Sequence, residues 1–152
     1  NARPMEHPYA FEFETALDHY TAGTFVVRCF DDRFWKAFKH FLKSLGLKHI
    51  DPESVAGGAK ILASPEQESD RDFMLREIEK SIRLHGTSRV MLFTHSDCGV
   101  YGGLDRFNGD AEEEFAFHRG EHEKARAAVA ARFPELAVES YFIDPHGIIN
   151  TT

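Results

Sequence analysis

Arg89-Val-Met-Leu-Phe-Thr94, followed without a break by His95-Ser-Asp-Cys98-Gly99, is the stretch on which the fold turns. A short apolar run ending in polar turn residues predicts a strand buried on both faces, with a loop at its carboxyl end. Gly23-Thr-Phe-Val-Val-Arg-Cys29 repeats the pattern upstream and reads as the first core strand. Between the two, Phe34, Phe38, Phe41, Leu42 and Leu45 share one face of a helix over 34–45, and Gly46 stands in the C′ position. Ile50 to Leu62, carrying Val55, Gly57-Gly58 and Ile61-Leu62, reads as an extended segment ending in a tight turn. Ser64-Pro65-Glu66-Gln67 combines an N-cap serine, a first-turn proline and a capping-box glutamine. They open a helix with Phe73, Ile78 and Ile82 on one face, running to about His85 and stopped by Gly86.

Downstream, Asp110 heads an acidic first turn, Glu112 to Glu114, of a helix ending near Phe133-Pro134. Ala137 to Ile143 is a further strand, and Asp144-Pro-His-Gly147 turns the chain into Ile148-Ile149, an antiparallel edge. Strands alternating with helices predict an α/β fold: a mostly parallel central sheet, built from right-handed crossovers, flanked by helices and closed by an antiparallel edge strand. The 152 residues suit one domain over 1–152, with 1–22 as an N-terminal arm. In that arm Tyr9, Phe11 and Phe13 alternate with Ala10, Glu12 and Glu14, as in a half-buried strand or an extended arm lying on a sheet edge or a partner subunit. Met5 is the first plausible initiator, and the residues before it carry no weight in the reading.

A formal charge of −7 and scattered basic residues argue against a nucleic-acid partner. No apolar run reaches the roughly 20 residues that cross a bilayer, and the N-terminus lacks a signal or transit composition, so a soluble, cytoplasmic protein with no membrane partner is expected. Two cysteines, far apart, are too few for a disulfide framework.

Both cysteines lie where open α/β sheets build their sites, outside the carboxyl ends of strands. If the two strands are neighbours, Cys29, His95 and Cys98 converge, and three soft or borderline ligands suit zinc while leaving a coordination position open. Asp31 and Arg33 emerge from the same strand end as Cys29; their pairing would keep the carboxylate ionised and oriented, either accepting a proton from a nucleophile on the metal or itself ligating the metal. Plainer readings stand beside these: two buried thiols or one cross-strand disulfide, an ordinary surface ion pair, and glycines serving only a turn.

These residues resemble the β-class carbonic anhydrases. Cys29-Phe-Asp31-Asp-Arg33 is similar to the family's Cys-x-Asp-x-Arg motif, His95-Ser-Asp-Cys98-Gly99 to its His-x-x-Cys-Gly motif, and Ala56-Gly57-Gly58 to its Ala-Gly-Gly turn. The resemblance implies a β-carbonic-anhydrase-like sheet, Zn²⁺ on Cys29, His95 and Cys98, and catalytic roles for Asp31 and Arg33. It further implies a substrate-side position for Gly57 and Gly58, a homodimer or higher assembly of dimers, and reversible hydration of carbon dioxide to bicarbonate by zinc-bound hydroxide. Two thiolate ligands already neutralise the metal, so activity is expected to climb with pH above neutrality.

Asp32 stands where the family has a small residue, and the long N-terminal helices that clasp the partner are replaced by the Tyr9–Glu14 arm. Hydrolysis of carbon disulfide or carbonyl sulfide, or metal binding without catalysis, are the alternatives this leaves. His118-Arg-Gly-Glu121-His122 matches an inverted zincin pattern, which raises a metallopeptidase as rival; these histidines or His146 are also proton-relay candidates by titration range.

Overall fold

The computed structural model describes residues 3–152, so the first two residues of the expected arm lie outside the described residues. Its first strand is β1 (Thr24–Arg28), all five residues buried. β1 pairs in parallel with β2 (Ile50–Ser54) on one side and with β3 (Arg89–His95) on the other. β4 (Ala137–Asp144) lies parallel to β3, and β5 (Gly147–Asn150) returns antiparallel along β4. The order is β2-β1-β3-β4-β5.

Side chains alternate across a strand, so each central strand feeds two cores. Val26, Met91, Phe93, Tyr141 and Ile143 face α1 (Trp35–Ser44), which buries Phe38 and Leu42 against them. Phe25, Val27, Val90 and Leu92 face the opposite layer, made of α2 (Lys60–Ala63), α3 (Glu68–His85) and α4 (Ala111–Arg132). This two-sided burial is why β1 and β3 read as unbroken apolar runs.

Several local expectations change. Ile61 and Leu62 belong to α2 and are not extended. α3 begins only at Glu68, with no side-chain cap from Gln67, and Ser64 instead ends α2, its hydroxyl donating to Glu121. Its buried face carries Met74, Leu75 and Ile78, while Phe73 is exposed. The segment around Tyr9 to Phe13 pairs with no strand and forms no regular element, with Phe11 79% exposed. Among the described residues no helix is long and apolar enough to cross a membrane.

The arrangement fixes where a site can form. The chain leaves β1 toward β2 and later returns to β1's other flank as β3, so a crevice opens beyond the carboxyl ends of β1 and β3.

Candidate metal centre

Cys29 follows the last residue of β1, and His95 is the last residue of β3. The turn Ser96-Asp97-Cys98 then brings the second thiol back. The ligand atoms of Cys29, His95 and Cys98 all lie within 4.8 Å of one another, and all three residues are buried. Both cysteines are free thiols, which removes the cross-strand disulfide.

His95 Nδ1 lies 2.7 Å from the Ser96 carbonyl, which can only accept, so Nδ1 carries the hydrogen. The lone pair is thereby assigned to Nε2, which is buried and has no hydrogen-bond partner. An orphaned imidazole nitrogen facing two thiols is the signature of a coordination site. Tetrahedral zinc with two sulfurs and one nitrogen spaces its ligand atoms roughly 3.5–3.8 Å apart, which this cluster accommodates. The Cys29 thiol is drawn down to about 4 by its contact with Cys98, helped by His95 and by the Gly57 N–H at 3.3 Å, against the opposing effect of burial. Cys98 is pushed up by the same neighbour and by burial. A divalent cation held by both sulfurs would favour the thiolate form of each.

Asp31 sits in the site through local turn chemistry. Its side chain caps a short 3-10 turn, Asp32–Phe34, by accepting the Arg33 N–H at 2.9 Å. That turn folds the Arg33 guanidinium back onto the same carboxylate, with Nη2 at 2.7 Å and Nε at 3.1 and 3.2 Å. The Arg33 contact holds Asp31 down to about 2, and Arg33 is raised in return. Asp31 Oδ2 is 3.8 Å from His95 Nε2, so the ionised carboxylate borders the cluster.

Gly57 and Gly58 serve the backbone. Gly58 has φ +55, and a Cβ there would lie 2.2 Å from the Phe93 carbonyl oxygen and 2.8 Å from Cys29 N. Only glycine permits this approach of the turn to both ligand-bearing strands. The Gly58 N–H, expected near substrate oxygens, donates to the Val55 carbonyl at 2.9 Å, and the Gly57 N–H is on Cys29 Sγ. Gly57 lines a cleft of about 430 Å³ with Cys29, Phe30, Asp31, Asp32, Ala56, Cys98, Gly99 and Val100. Gly58 does not line it.

The zincin-like histidines lie elsewhere, on the buried face of α4. His122 is spent between the Thr94 and Thr151 hydroxyls, at 2.6 Å each. Glu121 accepts from Ser64 and from Tyr101, whose hydroxyl is at 2.6 Å. His118 is 0% exposed, with neither ring nitrogen partnered. Burial drives His118 down to about 4 and His122 to about 3, so both are neutral at physiological pH and unsuited to relaying protons there. Among the described residues the cluster that can hold a metal ion is Cys29, His95 and Cys98.

Sequence reasoning missed Asp97. It adopts φ +58 between His95 and Cys98, donates its N–H to buried Glu114 at 2.8 Å, and accepts from Arg33 Nη1 at 3.1 Å. The available signal was an aspartate in a tight turn, one of the few residue types that tolerate the left-handed conformation.

Comparison with known proteins places these features. The chain is 26% identical over 132 residues to the uncharacterized protein RC0076 of Rickettsia conorii, covering 84% of this chain and 70% of that one. Its fold matches a carbonic anhydrase from Glaciozyma antarctica with TM-score 0.58 at 20% identity, covering 88% of this chain and 84% of the other. It likewise matches β-carbonic anhydrase isoform I from Trichomonas vaginalis with TM-score 0.60 at 13% identity, covering 92% and 87%. The family described as "Putative carbonic anhydrase" matches residues 20–151. The chain belongs to this carbonic anhydrase family.

Proposed function

We propose that the chain catalyses the reversible hydration of carbon dioxide to bicarbonate with zinc held by Cys29, His95 and Cys98. The observation that carries this reading is the unpartnered, buried His95 Nε2 beside two free thiols and an ionised, Arg-bound carboxylate. Bound zinc would act as a Lewis acid, supplying an activated water as nucleophile. The protein's part is then positional. Ser96 fixes the His95 tautomer, and the Gly57 N–H orients the Cys29 sulfur. Asp31, kept ionised by Arg33, is a fixed acceptor for the proton that turns toward it when the water is activated. Phe30, Ala56, Gly99 and Val100 give the cleft apolar walls, suited to a small uncharged substrate.

The same reading includes a homodimer or an assembly of dimers in the cytoplasm. Tyr9, Phe11, Phe13 and Leu17 are exposed on the arm, and Phe30 and Val100 are exposed at the cleft mouth, apolar surface that a second copy would cover. Two thiol ligands suit a reducing compartment.

Stopped-flow carbon dioxide hydration by the zinc-loaded protein tests the proposal. Asp31→Asn should lower kcat by about 10² or more while zinc content is kept. Inactive wild-type protein with a full complement of zinc would refute it and favour metal binding without catalysis.

A further inference from the structure

The turn that carries Cys98 is built around Asp97, and every polar group of that residue is engaged. Its N–H donates to Glu114 Oε2 at 2.8 Å, and its Oδ1 accepts the Leu104 N–H at 2.8 Å. Its Oδ2 and its carbonyl oxygen each accept from the Arg33 guanidinium at 3.1 Å. The backbone pays for this with φ +58, a conformation that few non-glycine residues adopt.

Glu114 is what seats the turn. It is 1% exposed, in the first turns of α4, and the Asp97 N–H is its hydrogen-bond partner among the described residues. A buried carboxylate without a donor is costly, so Glu114 and the Asp97 N–H hold each other in place.

The Arg33–Asp97 pair itself is half exposed, with side-chain exposures of 57% and 48%, and such pairs add little to stability. Its consequence is geometric. Arg33 presents Nε and Nη2 to Asp31, and Nη1 and Nη2 to Asp97. Held on one side only, the guanidinium and the Asp31 carboxylate would be free to swing as a unit. Asp31 Oδ2 already lies 3.8 Å from His95 Nε2, so a small swing carries it into the ligand cluster.

We propose that Asp97, seated by Glu114, is a positioning residue that anchors the far side of the Arg33 guanidinium and so keeps Asp31 from becoming a fourth ligand beside Cys29, His95 and Cys98. The inference rests on the metal-site reading above and extends it to two residues that are neither metal ligands nor members of the Asp31–Arg33 pair. It predicts that losing the Asp97 charge closes the centre through Asp31, without loss of the three ligands.

The test uses the full chain loaded with cobalt(II), whose visible absorption reports coordination, titrated with azide as a probe of the exchangeable position. Wild type should bind azide reversibly. Asp97→Asn, which tolerates the left-handed turn and keeps an acceptor for Leu104, should retain cobalt but bind azide at least about tenfold more weakly. Adding Asp31→Ala should restore azide affinity, because the competing carboxylate is gone; a merely structural defect would not be rescued this way. Glu114→Leu, which removes the acceptor of the Asp97 N–H, should show the same loss and the same rescue, and it decides the matter if Asp97→Asn fails to load.

Unchanged azide affinity in the Asp97 variant, a loss that Asp31→Ala does not restore, or a wild type that binds no azide would each overturn the proposal. A wild type that binds azide but does not hydrate carbon dioxide would count against the function alone, with the Asp97 brace still judged by the rescue.

Discussion

Replacing Gly58 by alanine tests how tightly the fold and the centre are joined. Two costs add. Alanine at φ +55 carries a left-handed penalty of about 1–2 kcal/mol. The new Cβ would sit 2.2 Å from the Phe93 carbonyl oxygen and 2.8 Å from Cys29 N, and both are backbone atoms that cannot rotate away. Forcing β1 and β3 apart there resembles overpacking a core, about 1–3 kcal/mol more, and also strains the Ala59 N–H to Phe93 carbonyl bond of 3.0 Å. The sum is about 2–5 kcal/mol, or roughly 5–15 °C in Tm for a domain of this size. Gly46→Ala is the control: its φ of +72 carries the same kind of penalty, but nothing lies within 4 Å of its Cβ, so about 1 kcal/mol is expected. Urea denaturation of the metal-free variants reads the difference. Competition with a chromophoric chelator should show Gly58→Ala holding zinc about tenfold more weakly and Gly46→Ala unchanged. A Gly58 variant within 1 kcal/mol of the Gly46 variant would refute the claim that close backbone approach, and not turn conformation alone, demands glycine.

The buried histidines predict the acid limb of stability. His118 and His122 fall from 6.5 to about 4 and about 3 in the folded chain, so the unfolded chain binds more protons once pH drops below about 6.5. Their contribution is complete above that pH and is lost progressively down to about 4 for His118 and about 3 for His122, on the order of 3 kcal/mol for His118 at 1.36 kcal/mol per unit. His118→Phe sacrifices no hydrogen bond, since neither ring nitrogen has a partner, and should flatten the fall in urea midpoint between pH 7 and 4.5; an unaltered fall would contradict the assignment. Asp110→Ala removes the acceptor for the Glu112 and Glu113 N–H groups at the start of α4 and should cost about 1 kcal/mol by thermal denaturation, with no change indicating that the cap is idle. Because Asp31 stays ionised far below neutrality, it cannot cause a rise of activity above pH 7; a hydration profile flat from pH 6 to 9 would count against a thiolate-neutralised metal as the source of the nucleophile.

What the sequence made legible follows from how locally each feature is encoded. β1 and β3 are legible because strands covered on both faces cannot alternate with polar residues, and the ligands because they follow those strands immediately. The Asp31–Arg33 contact is legible because a capping aspartate and an arginine two residues later fold onto each other within one turn. Features set by long-range competition were not. Ser64 reads as the N-cap of a helix, but it ends α2, and its hydroxyl donates to Glu121, 57 residues away. Glu114, His118, Glu121 and His122 are polar residues with no apolar period to mark them as a core face, yet they lie on the face that α4 buries.

Glu114 shows why such residues escape a linear reading. As an acid in a helix's first turn, it has an ordinary local explanation in the macrodipole, and its distinguishing partner is a backbone N–H 17 residues upstream. The three ligands define where a cation can bind, but they do not determine whether Asp31 acts on a substrate or closes the coordination shell. On the geometry here that choice belongs to the chain of contacts from Glu114 through Asp97 and Arg33 to Asp31. A relative that kept the Cys-x-Asp-x-Arg and His-x-x-Cys motifs while losing the carboxylates at positions 97 and 114 would therefore be expected to bind the metal equally well and to hold its centre closed.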